Sequence, residues 1–225
     1  MSGLQIEIQA IAVVTAAACS LLGTFLVLRQ MAMLSDAITH AILPGIVAAY
    51  FLSGSLDSPL LLLGAAASGL LAALAVELLH RSGRLREDAA IGLVFPVLFS
   101  IGVLLISRFA SDIHIDTDAV LLGELVFAPF RRVELGGVDL GPQALWSMGT
   151  VLVINAVFIG TFYKELQVAS FDAGLAWSLG FSPAVIHYTL MSLTAVTAVG
   201  AFEAAGSVLV VALMTAPPAT ASLLT

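Results

Sequence analysis

Charge is scarce in this sequence. Only 10% of its 225 residues are Asp, Glu, Lys or Arg, and 60% are hydrophobic. A soluble domain carries about 25% charged residues. The mean hydropathy of +1.09 therefore excludes an ordinary soluble domain and points into a membrane. Lysine occurs once, as Lys164 after Phe162-Tyr163. The chain thus lacks a Gly-x-x-x-x-Gly-Lys phosphate loop, so any ATP hydrolysis that serves it belongs to another chain. Cysteine also occurs once, as Cys19, which excludes an intrachain disulfide and a thiolate metal cluster. The net charge of −7 excludes a nucleic-acid surface. No basic residue precedes Arg29, so the first apolar segment does not read as a cleaved signal peptide. No His-Glu-x-x-His pattern occurs, which argues against an intramembrane metalloenzyme.

What remains is a series of apolar runs near the ~20 residues that a helix needs to cross about 30 Å of hydrocarbon. Seven spans are expected, at 8–28, 32–53, 59–79, 89–107, 143–162, 185–202 and 205–223. The fold class is an all-α polytopic transmembrane bundle, read as one domain over 1–225. Connections around 29–31, 80–88 and 163–184 fall on one side, with Arg29, Arg81, Arg84, Arg86 and Lys164. Those around 54–58 and 108–142 fall on the other, with Arg108, Arg131 and Arg132 spread through a longer stretch. The excess of basic residues places the first set in the cytoplasm and the amino terminus outside. Asp57, Asp112, Asp116, Asp118, Glu124, Glu134 and Asp139 then lie outside, where negative charge gathers cations. Segment 108–142 is long for a plain connection. Its apolar centre, Ala119 to Phe130, is expected to form a re-entrant or surface helix that ends at Pro129. Gly64 and Ser68 have the small-xxx-small spacing of close helix packing. No internal repeat is present.

The chemistry concentrates in Ser35-Asp36-Ala37-Ile38-Thr39-His40-Ala41-Ile42-Leu43-Pro44-Gly45. Asp36 and His40 are four apart, so one helical face presents a carboxylate and an imidazole together. At ~1.5 Å per residue they lie roughly 8–13 Å into an apolar segment that begins near Met31. An aspartate at a membrane helix centre costs about 2.5–3.5 kcal/mol on the mildest scale, and such residues are usually functional. The pair suits Mn²⁺, Fe²⁺ or Zn²⁺ and is poor for Cu⁺. Metal requires the neutral imidazole, so affinity is expected to fall as His40 protonates. Pro44 has no N–H, which frees the His40 carbonyl and makes Pro44 a candidate gating or path-lining residue. The structural alternative is that Ser35 or Asp36 caps a helix and His40 packs in the core.

Three further stretches are weaker signals. In extended backbone His114, Asp116 and Asp118 would share one face, as a cation entrance or as an ordinary polar loop. Glu203 is expected either to end a helix at the outer surface or to sit in a buried turn lining the path. Glu77 and Arg81 read as a structural i,i+4 pair, and His80 and His187 receive no role. Residues 164–181 are expected to form one short amphipathic helix on the inner face. Its apolar residues would dock on a partner or rest on membrane lipid.

These motifs resemble the integral-membrane permeases of manganese and zinc ABC importers, of the Tro and zinc-uptake types. The resemblance rests on Ser35-Asp36-x-x-Thr39-His40-Ala41-x-Leu43-Pro44-Gly45 and Glu87-Asp88-Ala89-Ala90-Ile91-Gly92. It continues in His114-x-Asp116-Thr117-Asp118-Ala119-Val120-Leu121-Leu122-Gly123-Glu124 and Phe171-Asp172 to Gly180. It ends in Gly206 to Met214 and Ala216-Pro217-Pro218-Ala219-Thr220-Ala221. It implies a deep metal site at Asp36 and His40. It also implies a coupling segment within 163–184, with Phe171, Asp172, Leu175, Ala176, Leu179 and Gly180 against a cytoplasmic ATP-binding subunit. A second permease, identical or paralogous, and an extracytoplasmic metal-binding protein complete the implied partners. No cofactor is implied; Mn²⁺, Zn²⁺ or Fe²⁺ is cargo, and the location is the bacterial cell membrane. Relatives of this type continue beyond the Pro-Pro-Ala-Thr-Ala motif, so C-terminal helices are expected to be missing after Thr225. An ion-coupled secondary metal transporter is the rival reading, although it would not need the coupling segment.

Overall fold

The computed structural model describes residues 3–54, 60–109, 125, 128–135 and 138–224. Their helices are α1 (Gly3–Leu28), α2 (Met33–Ala41), α3 (Leu43–Ser53), α4 (Leu60–Arg81), α5 (Glu87–Phe109), α6 (Gln143–Thr161), α7 (Tyr163–Phe171), α8 (Ala173–Ser178), α9 (Pro183–Ala205) and α10 (Ser207–Leu224). Strands β1 (Arg132–Leu135) and β2 (Val138–Pro142) form an antiparallel hairpin. Seven helical stretches among the described residues are long and apolar enough to cross a membrane, with α2 and α3 together making the second. The expected spans are all there, and α1, α5 and α9 run several residues longer than the hydropathy suggested.

Helix α9 is the hub. It packs against α1, α2, α4, α6 and α10 and buries residues on all but one face, among them Ile186, Leu190, Thr194, Ala198 and Ala201, leaving Val185 and Val196 exposed. Its many alanines let neighbouring backbones come close, which is how helices associate where no hydrophobic force distinguishes lipid from protein. Polar side chains add to the packing. Buried Asn155 of α6 donates from Nδ2 to the Ala18 carbonyl (3.3 Å) and to Thr197 Oγ1 (2.9 Å), joining α1, α6 and α9.

The second span is broken, for a local reason. Pro44 stands at the first turn of α3, where its missing N–H costs nothing, but a helix running through from α2 would need that N–H. The chain therefore turns at Ile42 and restarts. The carbonyl that gains a partner at this break is that of Ala41, which accepts from Ser68 Oγ of α4 at 2.6 Å; the sequence pointed to the carbonyl of His40. Gly64 and Ser68 do lie in a close crossing. A Cβ on Gly45 would run into the Gly64 carbonyl, and one on Gly64 into that of Gly45.

The two ends of the bundle carry different polar sets. At one end the hairpin is tied down by Arg132, which reaches Asp139 (2.6 Å) and Glu7 at the start of α1 (3.1 Å). Trp146 Nε1 donates to the Leu140 carbonyl. The Arg132 guanidinium and the Gly141 N–H hold the exposed Asp139 carboxyl below its usual range, and the same contact raises Arg132. At the other end Arg29 meets Ser170 of helix α7 and His187 of α9, while Arg81 and His187 meet Glu77 of α4. The expected helix over Ala119–Phe130 lies mostly outside the described residues. Within them Pro129 sits inside a 3₁₀ turn, Ala128–Phe130, followed by a hairpin that the apolar pattern did not announce.

Candidate metal centre

Helix α2 is short and covered on most sides. Leu34, Ser35, Ala37, Ile38, Thr39 and Ala41 are buried. Asp36 and His40 occupy the remaining face, where their side chains are 38% and 21% exposed. The i,i+4 spacing does what it should: His40 Nε2 lies 3.4 Å from Asp36 Oδ1. That is close enough for attraction but too long for a firm hydrogen bond. The imidazole rests against α5, 5.2 Å from the Phe95 ring and edge-on to Phe99 at 6.0 Å. These rings make an apolar wall, in which a charge is stabilised more strongly by an opposite charge than it would be in water. The Thr39 hydroxyl turns back onto the Asp36 carbonyl (2.9 Å) and Ser35 onto that of Ala32 (3.0 Å), so neither competes for the carboxylate. The result is one carboxylate and one ring nitrogen opening outward from the chain.

Such a face offers two ligands. No cluster of three or more His, Cys, Asp or Glu side chains is present among the described residues. Zn²⁺ takes four ligands and Mn²⁺ commonly six, so the remainder must come from outside this face.

The other sequence-predicted positions lie elsewhere. His114, Asp116 and Asp118 are outside the described residues. Pro44 is two turns below Asp36, at the helix break. Glu203 sits in the last turn of α9, where Arg131 Nη1 reaches it at 3.2 Å, so of the two expectations it ends a helix and is not in a buried turn. It lines a small cavity with Arg131, Gln143 and Ser147, at the hairpin end of the bundle.

The segment after α6 departs from the expectation of one helix. It forms α7 and α8, separated at Asp172, whose Oδ1 accepts from the N–H groups of Gly174 (2.8 Å) and Leu175 (2.9 Å). An aspartate followed by helix N–H groups is a strong cap and stops the preceding helix. Gly180, at φ +85°, closes α8. Ala176 is buried, whereas Phe171, Leu175, Trp177 and Leu179 are all at least half exposed. Large apolar side chains are held outward by a capped unit, where a partner or membrane lipid would cover them.

Sequence reasoning missed one polar assembly. Glu77, whose spacing suggests only a local pair with Arg81, also meets His187 Nε2 at 2.9 Å, and Arg29 lies on the far side of that ring at 3.3 Å. The available signal was sidedness, since the hydropathy pattern puts all four residues at the same end.

Comparison with known proteins agrees with this architecture. Residues 4–225 match the ABC 3 transport family. The manganese transport system membrane protein MntD of Bacillus subtilis is 49% identical over 213 residues, 95% of this chain and 72% of that protein. The zinc transport system membrane protein TroD of Treponema pallidum is 48% identical over 211 residues, 94% of this chain and 57% of that protein. Among solved structures, PsaBC from Streptococcus pneumoniae in complex with Fab superposes with a TM-score of 0.74 at 28% identity, covering 98% of this chain and 73% of the matched chain. The chain therefore spans between somewhat over half and three quarters of the proteins it matches. It is a multi-pass helical membrane protein and belongs to the ABC 3 transport family.

Proposed function

We propose that this chain is the permease subunit of an ATP-driven importer for a divalent transition metal, and that Asp36 and His40 are its contribution to the transport site. The observation that carries this reading is the outward face of α2. There a carboxylate and an imidazole stand 3.4 Å apart at membrane depth, backed by aromatic rings and supplied with too few ligands to trap an ion alone. A second permease copy or paralogue, or water, completes the shell. A shell assembled from separate parts can also be taken apart, which a carrier requires. Mn²⁺ and Zn²⁺ are the cargo best suited to the ligand pair, in keeping with the relatives named for manganese and zinc transport, and Fe²⁺ fits the same chemistry.

The ATP-binding subunit docks on the face made by Phe171, Leu175, Trp177 and Leu179. The excess of basic residues Arg29, Arg81, Arg84, Arg86 and Lys164 at that end supports a cytoplasmic placement of it, with the amino terminus outside. His114, Asp116 and Asp118, with an extracytoplasmic metal-binding protein, serve delivery on the other side. Uptake of radioactive Mn²⁺ or Zn²⁺ by proteoliposomes holding the full-length protein and its ATPase tests the reading. Asp36→Asn and His40→Ala are each expected to abolish ATP-dependent uptake while membrane insertion and ATPase co-purification persist. Normal uptake by both variants would place the metal elsewhere, and uptake driven by an ion gradient without ATP would favour a secondary carrier.

A further inference from the structure

The polar assembly at the α7 end has no part in the site just described, yet it is continuous. Arg29, directly after α1, donates from Nε to Ser170 Oγ of α7 at 3.1 Å. Ser170 Oγ itself donates to the Leu166 carbonyl at 2.6 Å, so the hydroxyl is fixed in direction. Arg29 Nη1 lies 3.3 Å from His187 Nδ1. A guanidinium only donates, so Nδ1 accepts and the ring proton sits on Nε2. That nitrogen then donates to Glu77 Oε2 at 2.9 Å. The other oxygen of Glu77 holds Arg81, whose guanidinium also lies 4.9 Å above the Tyr188 ring. Glu77 is buried, a position that such a carboxylate keeps only when both oxygens are occupied. Four helices, α1, α4, α7 and α9, are thereby joined through one guanidinium.

The turn directly after Arg29 gives the assembly its consequence. Gln30 has φ +62°, the one positive φ at a non-glycine among the described residues. Its N–H bonds the Val27 carbonyl (3.0 Å), and the Met31 N–H bonds that of Leu26 (2.8 Å). This is the two-bond turn that ends a helix, here with buried Leu26 and Met31 packed as its apolar clasp. The left-handed residue is normally glycine, because a side chain there is strained. A turn closed by two backbone bonds beside two buried apolar side chains resists bending. Helix α2 starts at Met33 and carries Asp36 in its first turn. From Ser170 to Asp36 the route is one side-chain contact, one closed turn and one helical turn.

We propose that Arg29 is a positioning residue that couples the ATPase-facing unit α7–α8 to the metal-bearing helix α2, with Ser170 as its grip and His187 and Glu77 as its brace. This rests on the transport reading above. When the ATPase displaces α7, Ser170 carries Arg29 with it, and the rigid turn at Gln30 reorients α2 and the outward face of Asp36 and His40. Energetic coupling of this kind travels through contiguous contacts between elements that each move as a body.

The test uses the full-length protein with its ATPase in proteoliposomes and reads ATP hydrolysis and metal uptake together. Ser170→Ala and Arg29→Lys are expected to keep ATPase assembly and hydrolysis while the metal moved per ATP falls roughly tenfold, the scale of an ordinary coupling between sites. Hydrolysis and uptake falling in step, or neither falling, would overturn the proposal. A second readout does not need transport. Met33 is 61% exposed, so Met33→Cys gives a thiol at the start of α2 whose modification rate is measured with and without ATP. The rate is expected to respond to ATP, and to stop responding when Ser170→Ala or Arg29→Lys is added. A rate that never responds, or that responds equally in the added variants, would overturn the linkage. Should the parent move no metal while this response holds, the transport reading fails and the linkage stands.

Discussion

Among the described residues two carboxylate–imidazole pairs occur, and their surroundings set them apart. Asp36 and His40 are one helical turn apart, 3.4 Å from each other, and partly open. Glu77 and His187 come from different helices, 2.9 Å apart, with the carboxylate almost covered. In the second pair Arg81 takes the remaining oxygen and Arg29 the remaining ring nitrogen. Two guanidinium groups already neutralise it and every ligating atom already has a partner, so a metal ion would meet positive charge and would have to displace a contact. The first pair has Phe95 and Phe99 where the second has arginines, and its lone pairs remain available. The same two functional groups thus make a brace in one place and a ligand face in the other. The deciding feature is what occupies the far side of each group.

Breaking the first pair has the largest expected effect. Asp36→Asn or His40→Ala should reduce metal uptake by at least about a hundredfold, since losing one ligand from an incomplete shell removes several kcal/mol of metal binding. Thermal stability should change little or rise, because the carboxylate at membrane depth is itself costly. Breaking the second pair should do the reverse. Glu77→Ala leaves Arg81 and His187 without their carboxylate and is expected to destabilise the protein by about 2 kcal/mol, below the 3–5 kcal/mol of a fully buried pair because Arg81 is half exposed. Detergent unfolding curves would show this as a lower Tm with metal affinity kept.

Smaller effects sharpen the contrast. Ser68→Ala removes the hydroxyl that holds the Ala41 carbonyl, at a cost of about 1–2 kcal/mol. Because that carbonyl is one residue past His40, metal affinity should drop severalfold with no loss of ATPase binding, read by titration of the purified complex. The least effect belongs to the exposed hairpin pair Arg132–Asp139. The Asp139 carboxyl is held below its ordinary 3.8. Whatever it contributes is therefore complete above about pH 3.8 and fades as pH falls through the lowered value. Protection of the β1 and β2 amides, measured against their intrinsic exchange rates, should fall only below that pH in the parent, and Asp139→Asn should remove that fall.

Legibility from the sequence depends on distance along the chain. The spans are legible, because each is a run of apolar residues whose length the bilayer dictates. Asp36 and His40 are, because four residues make one helical turn. The break at Pro44 is legible in cause, but its partner Ser68 lies on another helix and was visible only as a packing residue. The cap at Asp172 carried a readable sign, an aspartate before helix-compatible residues, which the amphipathic period of the segment overran. The hairpin also carried one, since Val133-Glu134-Leu135-Gly136-Gly137-Val138-Asp139-Leu140 alternates around two glycines, yet it stood inside a stretch read for its apolar centre. The contacts of His187 with Glu77 and Arg29 span 110 and 158 residues. No local spacing encodes them; they exist because α9 packs against both α4 and α1.

If the open pair holds metal and the braced pair only braces, the two respond differently to the loss of one carboxylate charge. The direct measurement is the metal content of the purified full-length complex after equal exposure to Mn²⁺ and Zn²⁺, compared among the parent, Asp36→Asn and Glu77→Gln. Bound metal is expected in the parent and in Glu77→Gln, with its loss in Asp36→Asn. Metal retained in Asp36→Asn, or lost in Glu77→Gln while the complex stays assembled, would refute the assignment of the two pairs.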